Sequence, residues 1–235
     1  MKVTLLVLTL NEIDGMQVIM PRIDPSWCDQ ILILDGGSTD GTVEWAREQG
    51  YQVYIQKQKG FRHAYFEGLP YIEGDTIITF SPDGNTVPEE IPTLIEKMHE
   101  GYDMVIGSRY LDDAKSDDDD WLTGFGNWLF TRTVNFLYGG HYTDVMVIFR
   151  IYKKSLIHEL GLDRDDAYEL PEKLFFCKIS WEPLMSVRAL KKGKKVGEIP
   201  ADEPERIGGV RKLRIFRWGA AYYFQFWREL WFWRQ

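Results

Sequence analysis

The sequence predicts an α/β fold in which helices flank a mostly parallel sheet. Short apolar runs alternate with amphipathic segments along the first half of the chain. Several of these runs lack the polar alternation of a strand that has one face in water. The chain has 235 residues, 44% of them hydrophobic, which suffices for one domain with a sizeable core. These observations together favour a sheet that is covered on both faces.

The predicted strands are short apolar segments bounded by turn residues. In chain order they are Lys2–Leu8, Ile31–Leu34, Gln52–Ile55, Thr76–Phe80, Met104–Ile106, Asp144–Tyr152 and Lys195–Ile199. The first run is too short to span a membrane, and no small-residue cleavage site follows it. We therefore expect it to be a buried strand.

Apolar residues at helical spacing predict the helices between these strands. They are Thr42–Gln49, Phe61–Leu69, Glu89–Glu100, Asn127–Tyr138 and Glu182–Lys191. The acidic segment Asp112–Asp120 is expected to be a solvated, mobile loop, with a gating role over the active site as the alternative.

Charge and cysteine content exclude several classes of protein. The net charge of −8 argues against general nucleic-acid binding, which depends on Lys and Arg contacts to phosphate. Cys28 and Cys177 form no pattern typical of a zinc site or a disulfide framework, so a reducing cytoplasm fits best. The four histidines also lack metal-ligand spacing.

The C-terminal segment differs from the rest of the chain, so we divide the sequence into a domain, 1–209, and a tail, 210–235. The tail is predicted to be a basic, aromatic, amphipathic helix. Such a helix suits the headgroup layer of a membrane, and would make the protein peripheral on the inner membrane face. The alternative is a helix docked on its own domain or on a second subunit, as in a homodimer.

Polar residues follow several predicted strands, at the sheet edge where open α/β folds bind ligands. Thr9, Asn11 and Glu12 follow the first strand, and Asp35 opens a glycine-rich turn after the second. Asp83 and Asn85 follow Thr76–Phe80 and can both reach one hard cation, which would be Mg²⁺ or Mn²⁺. The same residues also suit ordinary turns.

The order of these segments resembles the family 2 glycosyltransferases of the GT-A fold, and especially their polyprenyl-phosphate sugar transferases. The segments that carry the resemblance are Thr9–Glu12, Asp35–Thr42, Lys59–Gly60 followed by Ala64 and Gly68, Gly74–Asp75, Asp83–Asn85, Gly107–Tyr110, Thr143–Asp144, Phe149–Arg150, Glu182 followed by Arg188–Ala189, and Glu198–Pro200. Two departures weaken the match: Gly36 stands where the family usually has a second acid, and Asn85 stands where its metal motif usually ends in Asp.

The resemblance implies an inverting, metal-dependent transfer from a nucleoside diphosphate sugar to a lipid-linked or saccharide acceptor in cell-envelope glycan synthesis. The residues that would bind the nucleotide sugar are Thr9, Asn11, Glu12, Asp35, Lys59 and Asp83, with Asp83 and Asn85 at the metal. Arg206 and Arg211 would hold the acceptor or its phosphate.

We expect Arg109 to stabilise the departing diphosphate, with Asp144 first and Glu182 second as the base for a hydroxyl acceptor. A lipid phosphate acceptor is already anionic and needs no base. The alternative for Asp144 and for Glu182 is a structural role, in an ion pair with an arginine. Two other functions compete: nucleotidyl transfer, whose glycine-rich phosphate loop is missing from the sequence, and a non-catalytic nucleotide-sugar-binding protein of a glycan assembly complex.

Overall fold

The computed structural model describes residues 1–207 and 215–233, in which seven strands form one mixed sheet. The strands are β1 Val3–Thr9, β2 Gln30–Asp35, β3 Gln52–Ile55, β4 Thr76–Phe80, β5 Met104–Ser108, β6 Arg150–Lys153 and β7 Val196–Pro200. Their spatial order is β3-β2-β1-β4-β6-β5-β7. β6 runs antiparallel to β4 and β5, whereas the other neighbouring pairs are parallel. The prediction of an α/β fold with a mostly parallel sheet is confirmed.

Helices cover both faces of this sheet. They are α1 Ile13–Ile19, α2 Thr42–Glu48, α3 Phe61–Gly68, α4 Ile91–His99, α5 Trp121–Tyr138, α6 Leu156–Glu159, α7 Asp166–Phe175, α8 Glu182–Lys191 and α9 Ile215–Arg228. Alternate residues of β1 enter two separate hydrophobic clusters, Leu6 on one face and Leu5 on the other. α1, α2 and α4 contribute to the Leu5 side, and α3 and α5 to α9 contribute to the Leu6 side.

The predicted strand Asp144–Tyr152 is wrong in its first half, because the ladder begins only at Arg150. The Asp144 carboxylate accepts hydrogen bonds from the backbone N–H groups of Met146 at 3.0 Å and Val147 at 3.2 Å. A side chain that bonds to nearby backbone in this way turns the chain and competes with a sheet ladder.

Several helices also differ from the prediction. α5 begins at Trp121, six residues before the predicted Asn127, since Asp120 caps it by accepting a hydrogen bond from the Thr123 N–H at 2.9 Å. α1, α6 and α7 have no counterpart in the prediction, and α7 contains an internal proline, Pro171.

The acidic segment Asp112–Asp120 is a loop, as predicted, and it is tied to other parts of the chain. Ser116 forms an isolated bridge with Glu203, and the Asp117 N–H donates to the Glu203 carbonyl at 2.8 Å. These bonds hold the loop beside the chain that leaves β7.

The described part of the tail, 215–233, docks one face on the domain and exposes the other. α9 packs on α5, α7 and α8, and buries Tyr222 and Phe226 in the Leu6-side cluster. The aromatic stripe predicted from the sequence lies on the opposite face, where Phe216, Trp227 and Trp231 are exposed. Docking on the domain is therefore observed, although the division at residue 209 stays a prediction. None of the described helices is long and apolar enough to cross a bilayer.

Candidate active site

Asp35, the last residue of β2, is fully buried and shapes the loop that follows it. One carboxylate oxygen accepts the N–H groups of Gly37 and Ser38, both at 2.8 Å. The other accepts the hydroxyls of Thr9 at 2.8 Å and Ser38 at 2.5 Å. Because both oxygens already have protein donors, the observed role of Asp35 is to fold the loop, and its predicted contact with a nucleoside stays a prediction.

Asn11 and Glu12 join the loop after β1 to the loop after β2. Asn11 has a positive φ of 52°, and its side-chain oxygen accepts the Thr39 N–H at 2.8 Å. The Glu12 N–H donates to the Thr42 hydroxyl at 3.0 Å. Lys59, predicted to lie near the nucleotide, is exposed in the loop before α3.

A close backbone contact places the start of α1, which follows the loop after β1, against the end of β4. A Cβ atom on Gly15 would lie only 2.3 Å from the Pro82 carbonyl oxygen and 3.0 Å from the Asp83 Cα. Glycine is therefore required for the first turn of α1 to pack on the turn after β4. This contact brings the β1 and β4 strand ends together.

The turn after β4 carries a cluster of opposite charges. The Asp83 carboxylate lies 2.9 Å from an Nη atom of Arg206. The Asp118 carboxylate lies 3.4 Å from the Arg206 Nε and accepts a hydrogen bond from the Asn85 Nδ2 at 3.0 Å. The Ile207 N–H donates to the Asp83 carbonyl at 2.8 Å. The segment that follows β7 is thus closed over the predicted metal-binding turn.

The donor atoms at this turn fit a hard divalent cation. Asp83 and Asn85 supply oxygens, and the Asn85 Oδ1 is buried without a hydrogen-bond partner among the described residues. A buried acceptor that lacks a donor is costly unless something binds it. Residues 1–207 and 215–233 contain no group of three or more His, Cys, Asp and Glu side chains that could hold a metal.

Arg109, at the end of β5, is held by two carboxylates. Its Nε and one Nη donate to Asp144 at 2.6 and 3.1 Å, and its other Nη donates to Glu203 at 3.2 Å. Burial disfavours the charged form, but the two carboxylates outweigh this and raise the pKa of Arg109. Asp144 is fully buried. Of the two alternatives for Asp144, the structure shows the ion pair.

Comparison with known proteins decides the family. Residues 28–161, more than half of the chain, match the family model described as Glycosyl transferase family 2. The protein is a family 2 glycosyltransferase. The predicted resemblance is thereby confirmed, and the nucleotidyltransferase alternative is set aside.

Several curated relatives resemble this glycosyltransferase along most of its length. Glycosyltransferase AglJ of Haloferax volcanii is 25% identical, covering 92% of this chain and 71% of its own. An undecaprenyl-phosphate mannosyltransferase of Micrococcus luteus is also 25% identical, covering 94% of this chain and 95% of its own. A dolichyl-phosphate hexose transferase of Haloferax volcanii is 28% identical, covering 82% of this chain and 77% of its own.

Solved structures show that the glycosyltransferase shares its fold with glucosyl-3-phosphoglycerate synthase from Mycobacterium tuberculosis. The complex of that enzyme with Mn²⁺, UDP and phosphoglyceric acid superposes with a TM-score of 0.63, covering 94% of this chain and 75% of that one. The sequence identity is 18%. The GT-A fold predicted from the sequence is confirmed.

Glu182, the second candidate base of the glycosyltransferase, does not join the cluster around Asp83 and Arg109. It is fully buried at the start of α8 and accepts a hydrogen bond from the Tyr65 hydroxyl. Its Oε2 is buried without a hydrogen-bond partner among the described residues, as are the Tyr152 hydroxyl and the Trp181 Nε1. This environment is that of a buried core acid, and the role of Glu182 as a base stays a prediction. Arg211 lies outside the described residues.

Sequence reasoning missed Asp118 and Glu203. Asp118 stands in a run of four aspartates, 117–120, so the sequence gives no reason to choose it over its neighbours. Glu203 follows the last strand, and its position beyond a strand end is the same signal that singled out Asp83.

Proposed function

We propose that this glycosyltransferase moves a sugar from a nucleoside diphosphate sugar to a polyprenyl phosphate, with inversion, during the synthesis of cell-envelope glycans. The named activities of the Micrococcus luteus relative and of the Haloferax volcanii hexose transferase support a lipid phosphate as the acceptor. The strand-end cluster at β1, β2, β4 and β5 lies where α/β folds bind ligands, which supports the same sheet edge as the donor site.

One observation carries the choice of acceptor: both candidate bases already bind other side chains of the protein. Asp144 is buried in a bidentate pair with Arg109, and Glu182 lies in the core with Tyr65. A hydroxyl acceptor needs a group that removes its proton, whereas a phosphate oxygen attacks as an anion. The geometry therefore supports a phosphate acceptor over a saccharide hydroxyl.

Asp83 and Asn85 are the residues that would hold the divalent cation, Mg²⁺ or Mn²⁺. When bound, such a cation neutralises the charge that develops on a departing diphosphate. Arg206 occupies one side of Asp83 through its guanidinium group. In our proposal Arg206 leaves Asp83 and binds a phosphate group of the donor or the acceptor instead. The planar guanidinium group, with its several N–H donors, is suited to bind phosphate.

The exposed stripe of α9 supports a peripheral position at the inner face of a membrane. Phe216 and Trp227 are exposed on the helix, Trp231 is exposed just beyond its end, and Arg217 is exposed beside Phe216. Aromatic rings and arginines are the side chains that suit the headgroup layer. This position would bring the enzyme to a lipid-linked acceptor.

Thermal unfolding with a panel of UDP-, GDP-, CDP- and dTDP-sugars tests the donor site, with and without Mn²⁺ or Mg²⁺. A ligand that binds only the folded state raises the unfolding midpoint. We expect a metal-dependent rise with one nucleotide class that Asp83→Ala abolishes and that Glu48→Ala, an exposed acid at the end of α2, retains. A rise that Asp83→Ala leaves intact would contradict the assigned site, and binding without turnover would favour a non-catalytic nucleotide-sugar binder.

A further inference from the structure

A second aromatic stripe, separate from the tail, runs along the outer face of α5. Trp121, Phe125 and Trp128 recur at helical spacing and are 83%, 49% and 54% exposed, and Phe136 continues the stripe at 85% exposure. The rings of Trp121 and Phe125 stack with centroids 6.1 Å apart, and those of Phe125 and Trp128 at 5.7 Å. So much exposed aromatic surface on one helix indicates a contact with a protein partner or a membrane.

The charge of the two aromatic helices is opposite to that of the protein. The chain carries a net charge of −8, yet the sequences of α5 and α9 contain no Asp or Glu. Arg132 is exposed within the α5 stripe, one turn beyond Trp128, and Arg217 is exposed on α9. Carboxylates adjoin the start of α5, in the loop 117–120, but beyond it the exposed aromatic rings and arginines of the two helices complement an anionic lipid headgroup layer.

The α5 stripe begins at the candidate active site. Asp120 caps the helix, and Asn127, in its second turn, donates to the Tyr110 hydroxyl at 2.8 Å and to Asp119 at 3.2 Å. Tyr110 follows Arg109, and Asp118 belongs to the cluster at Asp83. A surface in contact with this stripe is therefore next to the phosphate-handling residues.

We propose that the α5 stripe, Trp121, Phe125, Trp128 and Phe136, lies in the headgroup layer of an anionic bilayer and sets the active site against the lipid surface. This inference rests on the proposed lipid phosphate acceptor, whose phosphate would stay near the headgroups while its chain remains in the bilayer. Lipid is favoured over a second copy of the chain because α9, which packs on α5, also exposes aromatic and arginine side chains beside the site proposed for a lipid phosphate.

Vesicle binding by the full-length chain tests the inference. Wild type and the triple variant Trp121→Ser, Phe125→Ser, Trp128→Ser are sedimented with phosphatidylcholine vesicles with and without phosphatidylglycerol. The control variant, Val18→Ser with Ile55→Ser, replaces exposed apolar residues on α1 and β3. We expect the partition coefficient on the anionic vesicles to fall at least about tenfold in the triple variant, because three buried aromatic side chains are lost.

We also expect the control variant to bind the vesicles like wild type. Wild type should bind more weakly to vesicles without phosphatidylglycerol. Unchanged binding by the triple variant would overturn the inference. Light scattering that finds a wild-type dimer and a monomeric triple variant would also overturn it, since the stripe would then be a protein interface.

Donor binding separates this inference from the proposed function. The triple variant should retain the nucleotide-dependent rise of the unfolding midpoint, because the substituted side chains lie outside the donor site. If no donor shifts the midpoint of any variant while vesicle binding still depends on α5, the proposed function fails and the lipid contact stands.

Discussion

Arg206 sets the charge at the turn after β4. Its guanidinium group lies between the Asp83 and Asp118 carboxylates, at 2.9 and 3.4 Å, and neutralises the acid that we assign to the metal. The neutral Asn85 oxygen beside it has no donor among the described residues. A cation that binds Asp83 therefore competes with Arg206 for the same carboxylate.

Replacing Arg206 with Met is predicted to tighten the binding of metal alone. Loss of the competing guanidinium leaves Asp83 available to a cation, and we expect the dissociation constant for Mn²⁺ without nucleotide to fall by about tenfold. The free Mn²⁺ signal in electron paramagnetic resonance measures it. Arg22→Met, which breaks an exposed pair with Glu89, is the matched control. Equal or weaker Mn²⁺ binding by Arg206→Met would show that Arg206 does not compete at Asp83.

Glu90 makes the stability of the fold depend on pH. Burial raises its pKa to about 7, and its Oε2 is among the buried oxygens without a hydrogen-bond partner in the described residues. The folded state thus holds the proton more tightly than the unfolded state, in which the pKa is about 4.3. The free energy of unfolding should decrease as pH rises between these two pKa values.

Glu90→Gln is predicted to remove that decrease. At pH 8 the variant should be more stable than wild type by about 1 kcal/mol, a value discounted for the partial hydration of the carboxylate. At pH 4 the two proteins should differ little, since Glu90 is then mostly protonated in both states. Urea unfolding at the two pH values measures the difference, and an equal gain at both would contradict a titrating Glu90.

Some residues of the candidate site could be predicted from the sequence and others could not, for a physical reason. Asp83 and Asn85 could be placed at a strand end because the apolar run before them is local in the sequence. Their partners Asp118 and Arg206 come from distant loops, and such pairing is invisible to a pattern of neighbours. The pairing of Asp144 with Arg109 is also a contact between distant residues, so the sequence left it as one of two alternatives.

At the scale of elements, a buried ion pair fastens α9 to the domain. Arg188 on α8 donates to Glu229 just after α9 at 2.8 and 3.1 Å, and both side chains are buried. Arg188 also donates to the Leu160 and Gly161 carbonyls and lies 4.8 Å from the Trp233 ring centroid. Removing one partner would leave the other charge buried and unpaired.

Glu229→Ala is predicted to destabilise the protein by about 3 kcal/mol, because Arg188 then keeps an uncompensated charge in the core. The double variant Arg188→Met, Glu229→Leu should be clearly more stable than Glu229→Ala, since it removes both charges and keeps apolar volume. Urea unfolding midpoints measure both. A double variant no more stable than the single one would mean that packing of α9, and not the ion pair, carries the effect.

Elements could be predicted where local pattern and tertiary structure agree. β3 and β4 have the predicted bounds, since each is an apolar run between turn residues. The prediction of a strand that begins at Asp144 is wrong, because the Asp144 carboxylate accepts a hydrogen bond from the backbone that follows it. The same carboxylate is paired with Arg109. α7 has no counterpart in the prediction, and its buried residues Ala167, Tyr168 and Pro171 show that packing on the core supports this helix despite its internal proline.

At the scale of the whole molecule, charge and apolar surface are distributed unevenly. An acidic protein of net charge −8 places its acid-free helices, α5 and α9, side by side on one face of the sheet. The candidate site lies at the carboxyl edge of the same sheet, where α5 begins. This arrangement unites the two proposals: a donor site at the sheet edge and a lipid surface beside it.

Transfer of labelled sugar into lipid tests the central proposal most directly. The enzyme is incubated with the radiolabelled nucleotide sugar selected by thermal shift, a divalent metal, and vesicles that contain polyprenyl phosphate. We predict metal-dependent label in the organic phase, reduced at least about 100-fold by Asp83→Ala and unchanged in Glu48→Ala. Label that never enters the lipid with any donor, or an Asp83→Ala variant as active as wild type, would contradict the account.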